Sequence, residues 1–173
     1  MKRVFVVCFF LAVSGACFAQ TAKDPVTSAV REILPRQQKN LVGSLEGMPA
    51  DKYGFKPTPA HQPFAHLAAH MIEANNILCS AIGGVAEPKG AQESDGKDKL
   101  VASLKTSFDF CQGVMSKATD ANLGDEVSIF GGRKVSRAYA MFALTGGWAD
   151  HYAAAAMYLR LNGVLPPSAQ PKE

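Results

Sequence analysis

Three histidines hold most of the chemistry in this chain. On a helical wheel advancing about 100° per residue, Leu144, Trp148, His151, Tyr152, Ala155, Tyr158 and Leu159 fall within one arc of about 120°. His151 therefore sits inside an apolar stripe and needs a partner. His70 lies about 60° from the inward face of an earlier helix, and His66 nearer 100° away, so His70 is the one expected to be buried. Two inward imidazoles on separate helices make a hydrogen-bonded pair, direct or through water. His66-Leu67-Ala68-Ala69-His70 spaces two histidines at i, i+4 but lacks the glutamate of a zinc protease motif, so that chemistry fails at its general base. His61 stands in a proline-rich stretch and is expected at the surface. No Ser/His/Asp arrangement, phosphate-cradling loop or pair of carboxylates stands out, and no catalytic residue is assigned.

The elements that must position these side chains are helical. Asp24-Pro25 is a helix start, with the acid as N-cap and proline in the first turn. Val26 to Leu34 and Gln37 to Leu45 follow, with Pro35 expected to kink or break the rod. Asp51 to Gln62 is an ordered crossing, because its prolines push the preceding residues toward extended backbone. A second helix runs from about Pro63 to Ile82, with Leu67, Met71, Ala74, Leu78 and Ile82 inward. A third spans about Lys97 to Ala118 through Leu100, Leu104, Phe108, Cys111, Val114 and Met115. Val127 to Gly132 reads as a short extended piece with a turn. A fourth helix runs from near Ser136 to Asn162, with a kink or close packing expected at Gly146-Gly147. The fold class is all-α, a four-helix bundle, and the long link between the first two helices allows a crossover.

Composition narrows the function. The chain has 173 residues and 47% hydrophobic content, enough for one sizeable core. Residues 1–19 read as a signal peptide: Lys2-Arg3, an apolar run from Val4 to Val13, and Cys17-Phe18-Ala19 before Gln20. The mature protein is therefore expected to be exported, periplasmic or secreted, with no transmembrane segment, since nothing else approaches about 18 apolar residues. Cleavage removes two positive charges and no negative ones, lowering the formal net charge from +3 to +1. No basic stripe with interleaved aromatics remains, which argues against a nucleic-acid partner. The domain proper is placed at residues 20–167, with a disordered tail at 168–173. Cys79 and Cys111 are the two cysteines left, in a compartment that permits disulfides. Pairing them closes a loop of about 30 residues, worth roughly 3 kcal/mol in the chain-entropy account; two buried free thiols is the other reading.

Three blocks resemble the DinB-like (DinB/YfiT) superfamily of metal-dependent four-helix proteins. They are Met48 to Pro59; Phe64 through His70 and Glu73-Ala74-Asn75 to Cys79; and His151-Tyr152 through Tyr158-Leu159-Arg160-Leu161-Asn162-Gly163 to Pro166-Pro167. The resemblance implies an up-down-down-up bundle with the crossover between helices 1 and 2. It also implies a site of three histidines, one on the second helix and two at i, i+4 on the fourth, which suits an open metal centre. His70 and His151 match two of those positions, and Gly147 stands at the third. His66 is the candidate replacement ligand, with Glu73 as a possible carboxylate. Two functions follow. In one, a divalent metal, zinc or nickel, activates water or a thiol for hydrolysis or group transfer. In the other, a non-catalytic bundle binds a small apolar molecule, or a like subunit as a homodimer, in a pocket bordered by Gly147, Trp148, Tyr152 and Glu73.

Overall fold

The frame consists of α1 (Pro25–Gly47), α2 (Phe64–Gly83), α3 (Lys97–Lys117) and α4 (Arg137–Leu161). The computed structural model describes residues 23–171, so the expected signal peptide lies outside the described residues. α1 packs against α3 and α4, and α2 packs against the same two. Leu34, Leu41 and Leu45 of α1, Met71 and Ile82 of α2, and Phe108 and Trp148 are among the side chains at its fully buried centre. No described helix is long and apolar enough to cross a membrane.

α1 continues through Pro35 as one helix, so of the kink or break expected there the break does not occur. Its inward residues Val30, Leu34, Leu41 and Leu45 keep one phase on both sides of the proline, and burying that stripe outweighs the backbone hydrogen bond the ring removes. The start of α1 is also built differently. Asp24 takes a left-handed φ of 57° and makes no side-chain cap; its carboxylate accepts the Asp120 N–H at 2.9 Å instead. Asp120, from the loop after α3, does the capping, accepting the Val26 and Thr27 N–H groups at 2.8 and 2.9 Å. Burial opposes ionisation of Asp120, but the bonds from Thr27 and Val26 and the charge of Arg31 prevail and hold its carboxyl below the usual range.

The crossing between α1 and α2 is pinned at both ends by tyrosine hydroxyls. Tyr53 donates to the Leu45 carbonyl at 2.7 Å, and Tyr158 of α4 donates to the Gln62 carbonyl at 2.6 Å. α2 stops at Gly84, whose φ of 61° is the left-handed cap. The extended piece is one arm of an antiparallel hairpin, β1 (Glu126–Ile129) with β2 (Arg133–Ser136), in which Val127 faces Val135. Val127 and Ile129 turn inward, so the hairpin closes one side of the bundle beside α2. Ser136 then caps α4 by accepting the Tyr139 N–H.

Two long-range ties remain. Cys79 and Cys111 form a disulfide between α2 and α3, with Cα atoms 5.3 Å apart. The tail expected to be disordered from residue 168 is ordered at its start. Pro167–Ala169 forms a 3₁₀ turn, and the Tyr152 hydroxyl accepts the Ser168 N–H at 2.8 Å while donating to its Oγ at 2.6 Å. Pro167 packs where a Cβ on Gly43 would meet it at 3.0 Å. The prolines end α4, but their rings find a seat on α1.

Candidate functional site

The rings of His70 and His151 meet edge to face, with centroids 5.0 Å apart and planes at 79°. The register of α2 against α4 brings them together, and the same register sets the Trp148 Nε1–H on the Asn75 Oδ1 at 2.7 Å. His70 was expected to be buried and the pair to lie in the interior, but the His70 side chain is 47% exposed. The inward stripe of α2 includes Ala68, Ile72, Asn75 and Cys79 beside the larger apolar residues. The expected stripe of Leu67, Met71, Ala74, Leu78 and Ile82 left these four out, and they shift the true centre of the face away from position 70. His151 is half-buried.

Burial, then the neighbouring His70 charge, pushes the His151 imidazole down to about 4 from its ordinary value of 6.5, with Asp150 acting weakly the other way. Below its ordinary value the unfolded chain binds the proton that the folded chain refuses. The stability tied to this group is therefore whole above about pH 6.5 and falls as the pH drops toward 4. Urea midpoints at pH 7.0 and 4.5 should show a larger acid loss in the native chain than in His151→Gln. Equal losses would mean that the ring titrates as it does in water.

The other named residues do not converge on this pair. His66 turns its Nδ1 to Glu93 Oε2 at 3.0 Å, in the loop between α2 and α3. Glu73 stands on the flank, 61% exposed, with its carboxylate 3.9 Å from His70 Nδ1. A Cβ built on Gly147 would meet only His151 Cε1, at 3.7 Å, so α4 passes through both glycines as one helix and neither is a point of close packing. Trp148 is a core residue, tilted against Phe108 at 5.7 Å, and Tyr152 is engaged by Ser168. The four residues expected to border one pocket thus belong to different surroundings. His61 is exposed, its Nδ1 2.7 Å from Thr58 Oγ1.

Among the described residues, no three His, Cys, Asp or Glu side chains are grouped to hold a metal ion. The residues present offer the imidazoles of His70 and His151 and a largely exposed carboxylate beside one of them, and they do not make a three-donor centre. Sequence reasoning missed a buried polar chain behind the pair. Asn75 accepts from Trp148 and donates to Ser107 Oγ at 3.0 Å, and Ser107 donates to the Leu104 carbonyl at 2.8 Å. The signal was available, since Asn75 and Ser107 both stand at inward positions of their helices. Such a satisfied chain fixes the level at which α2, α3 and α4 meet.

A search of the curated proteins returns no match. Solved structures sharing this fold include a DinB-like protein from Bacillus cereus ATCC 10987, at 15% identity over 84% of this chain and 97% of that one, with a TM-score of 0.67. Another is a DinB-like protein from Bacillus subtilis, at 18% identity over 83% of this chain and 99% of that one, with a TM-score of 0.64. A mycothiol-dependent maleylpyruvate isomerase is similar at 13% identity over 73% of this chain and 59% of that one, with a TM-score of 0.57. At these identities the likeness concerns the fold. The DinB superfamily model matches residues 33–154, most of the bundle, and on that match the chain belongs to the DinB superfamily.

Proposed function

We infer that this is an exported DinB-superfamily domain whose histidine site is degenerate, acting as a binding domain for a small molecule or a like subunit and not as a metal-dependent hydrolase or transferase. One observation carries the reading: the two imidazoles stand in contact while the helical position one turn before His151 is Gly147, which brings no donor. Export is supported by the Cys79–Cys111 bridge, which suits an oxidising compartment. An up-down-down-up order, in which α2 and α3 run parallel and α2 and α4 antiparallel, is supported by the residues that meet. Cys79 and Asn75 face Cys111 and Ser107 in the same sequence direction, whereas His70 and Asn75 face His151 and Trp148 in opposite directions.

The metal-dependent reading keeps one observation in its favour, the carboxylate of Glu73 within 3.9 Å of the paired His70. Metal analysis of untagged protein, dialysed after loading with zinc or nickel, separates the two. The expected result is substoichiometric metal in the native chain, unchanged in His151→Ala. One equivalent that disappears with His151 would restore the hydrolase or transferase reading.

A further inference from the structure

A concavity lined by neither His70 nor His151 lies where the C-terminal ends of α2 and α3 meet the first turn of α4. Its volume is about 540 Å³, within the range that encloses small organic ligands. Ile82, Val85, Phe110 and Val114 form the apolar wall, and Lys117 and Arg137 supply the polar side. Gly113 lines the opening, and a Cβ there would meet nothing within 4 Å, so a larger side chain at that position has room to reach into the space. Val85 is 49% exposed, an aliphatic group left in water at the rim.

The cationic side is held in position before any ligand arrives. Arg137 donates from Nη1 to the Ile82 carbonyl and from Nε to the Asn122 carbonyl, which fixes the guanidinium plane against the wall. Its Nη2 makes an ion pair with the largely exposed Asp125 carboxylate at 3.7 Å, too long for a hydrogen bond, so an incoming carboxylate can compete for that donor. Lys117 makes no ion pair among the described residues and stands exposed beside the opening. Two cations face one largely exposed acid. A guanidinium with a free N–H recognises a carboxylate through a charge-assisted bond, while the wall takes up an apolar body whose removal from water is favourable. A bare inorganic anion leaves that wall unused, and a neutral hydrocarbon leaves the cations unused.

We propose that this cavity binds a small organic monocarboxylate with a compact apolar body. The site is separate from the histidine pair and stands whether or not that pair takes a metal.

The test titrates the full mature chain with 3-phenylpropanoate, following amide shifts by NMR, alongside acetate and 3-phenylpropanol. The expected result is saturable binding of the carboxylate, centred on Phe110, Val114 and Arg137, with acetate and the alcohol each at least about tenfold weaker. Gly113→Leu fills the space without touching Arg137 and replaces glycine inside a helix, so it should fold and abolish binding. Lys117→Glu should weaken binding about tenfold, and His151→Ala should leave it unchanged. Absence of saturable binding in the native chain, equal binding of the alcohol, or binding that survives Gly113→Leu would each overturn the proposal. So would a concentration-dependent dimer in sedimentation that Gly113→Leu dissociates, which would place a second copy in the cavity.

Discussion

Replacing Cys79 and Cys111 together by alanine should lower the unfolding free energy by about 3–4 kcal/mol, read as a fall in the urea midpoint under oxidising conditions. The bridge joins residues 32 apart, and closing a loop of that length removes about 3.5 kcal/mol of denatured-chain entropy in the usual account. Both cysteines are fully buried, so losing two sulfur atoms from a packed layer adds to the cost. One turn earlier Asn75 and Ser107 hold the same two helices together, so the native arrangement should survive and the far-ultraviolet spectrum stay helical. The enclosed segment includes the polar loop from Val85 to Gly96, which packs little and gains most from the constraint. A loss below about 1 kcal/mol would mean that the unfolded chain is already restricted between α2 and α3.

Gly147→His should convert the imidazole pair into a metal centre that retains zinc or nickel at one equivalent through dialysis. Position 147 precedes His151 by one helical turn, so the new ring rises on the same face. Its Cβ starts 3.7 Å from His151 Cε1, an ordinary contact, and histidine suits a helix better than glycine does. Because burial holds His151 neutral well below pH 7, its nitrogen needs no deprotonation to ligate. With free zinc at about a hundred times the dissociation constant, the fold should gain about 2.7 kcal/mol, visible as a rise in the thermal midpoint that the native chain does not show. Adding His151→Ala should abolish the rise. No gain in metal would mean that His70, half exposed on α2, cannot turn toward the other two.

How far the site was legible differs from residue to residue. Pairing His70 with His151 required only that two amphipathic helices share one core, which their periodicities and the superfamily resemblance both implied. Their depth did not follow, because the stripe read on α2 left out Ala68, Ile72, Asn75 and Cys79, and these help decide which side of the helix faces inward. His66 was a ligand candidate by spacing alone, and its actual partner on Nδ1, Glu93, lies 27 residues away across an irregular loop, which no spacing on α2 could indicate. Trp148 and Tyr152 are near neighbours on one helix but serve different packing partners, Phe108 and Ser168.

Helix starts and stops such as Pro63, Gly84, Ser136 and the Gly163 to Pro167 stretch are local in cause, since each acts through its own φ or its own missing or added hydrogen bond. The sequence by itself therefore determined the four helices, their approximate ends and the absence of a histidine at position 147. Only the tertiary structure decided that Asp120 caps α1, that Pro35 is tolerated, that the tail docks on Gly43, and that a cavity opens beside Gly113. Each of those depends on groups far apart in the chain arriving at one place, a meeting set by the packing of the bundle and by no short stretch of residues.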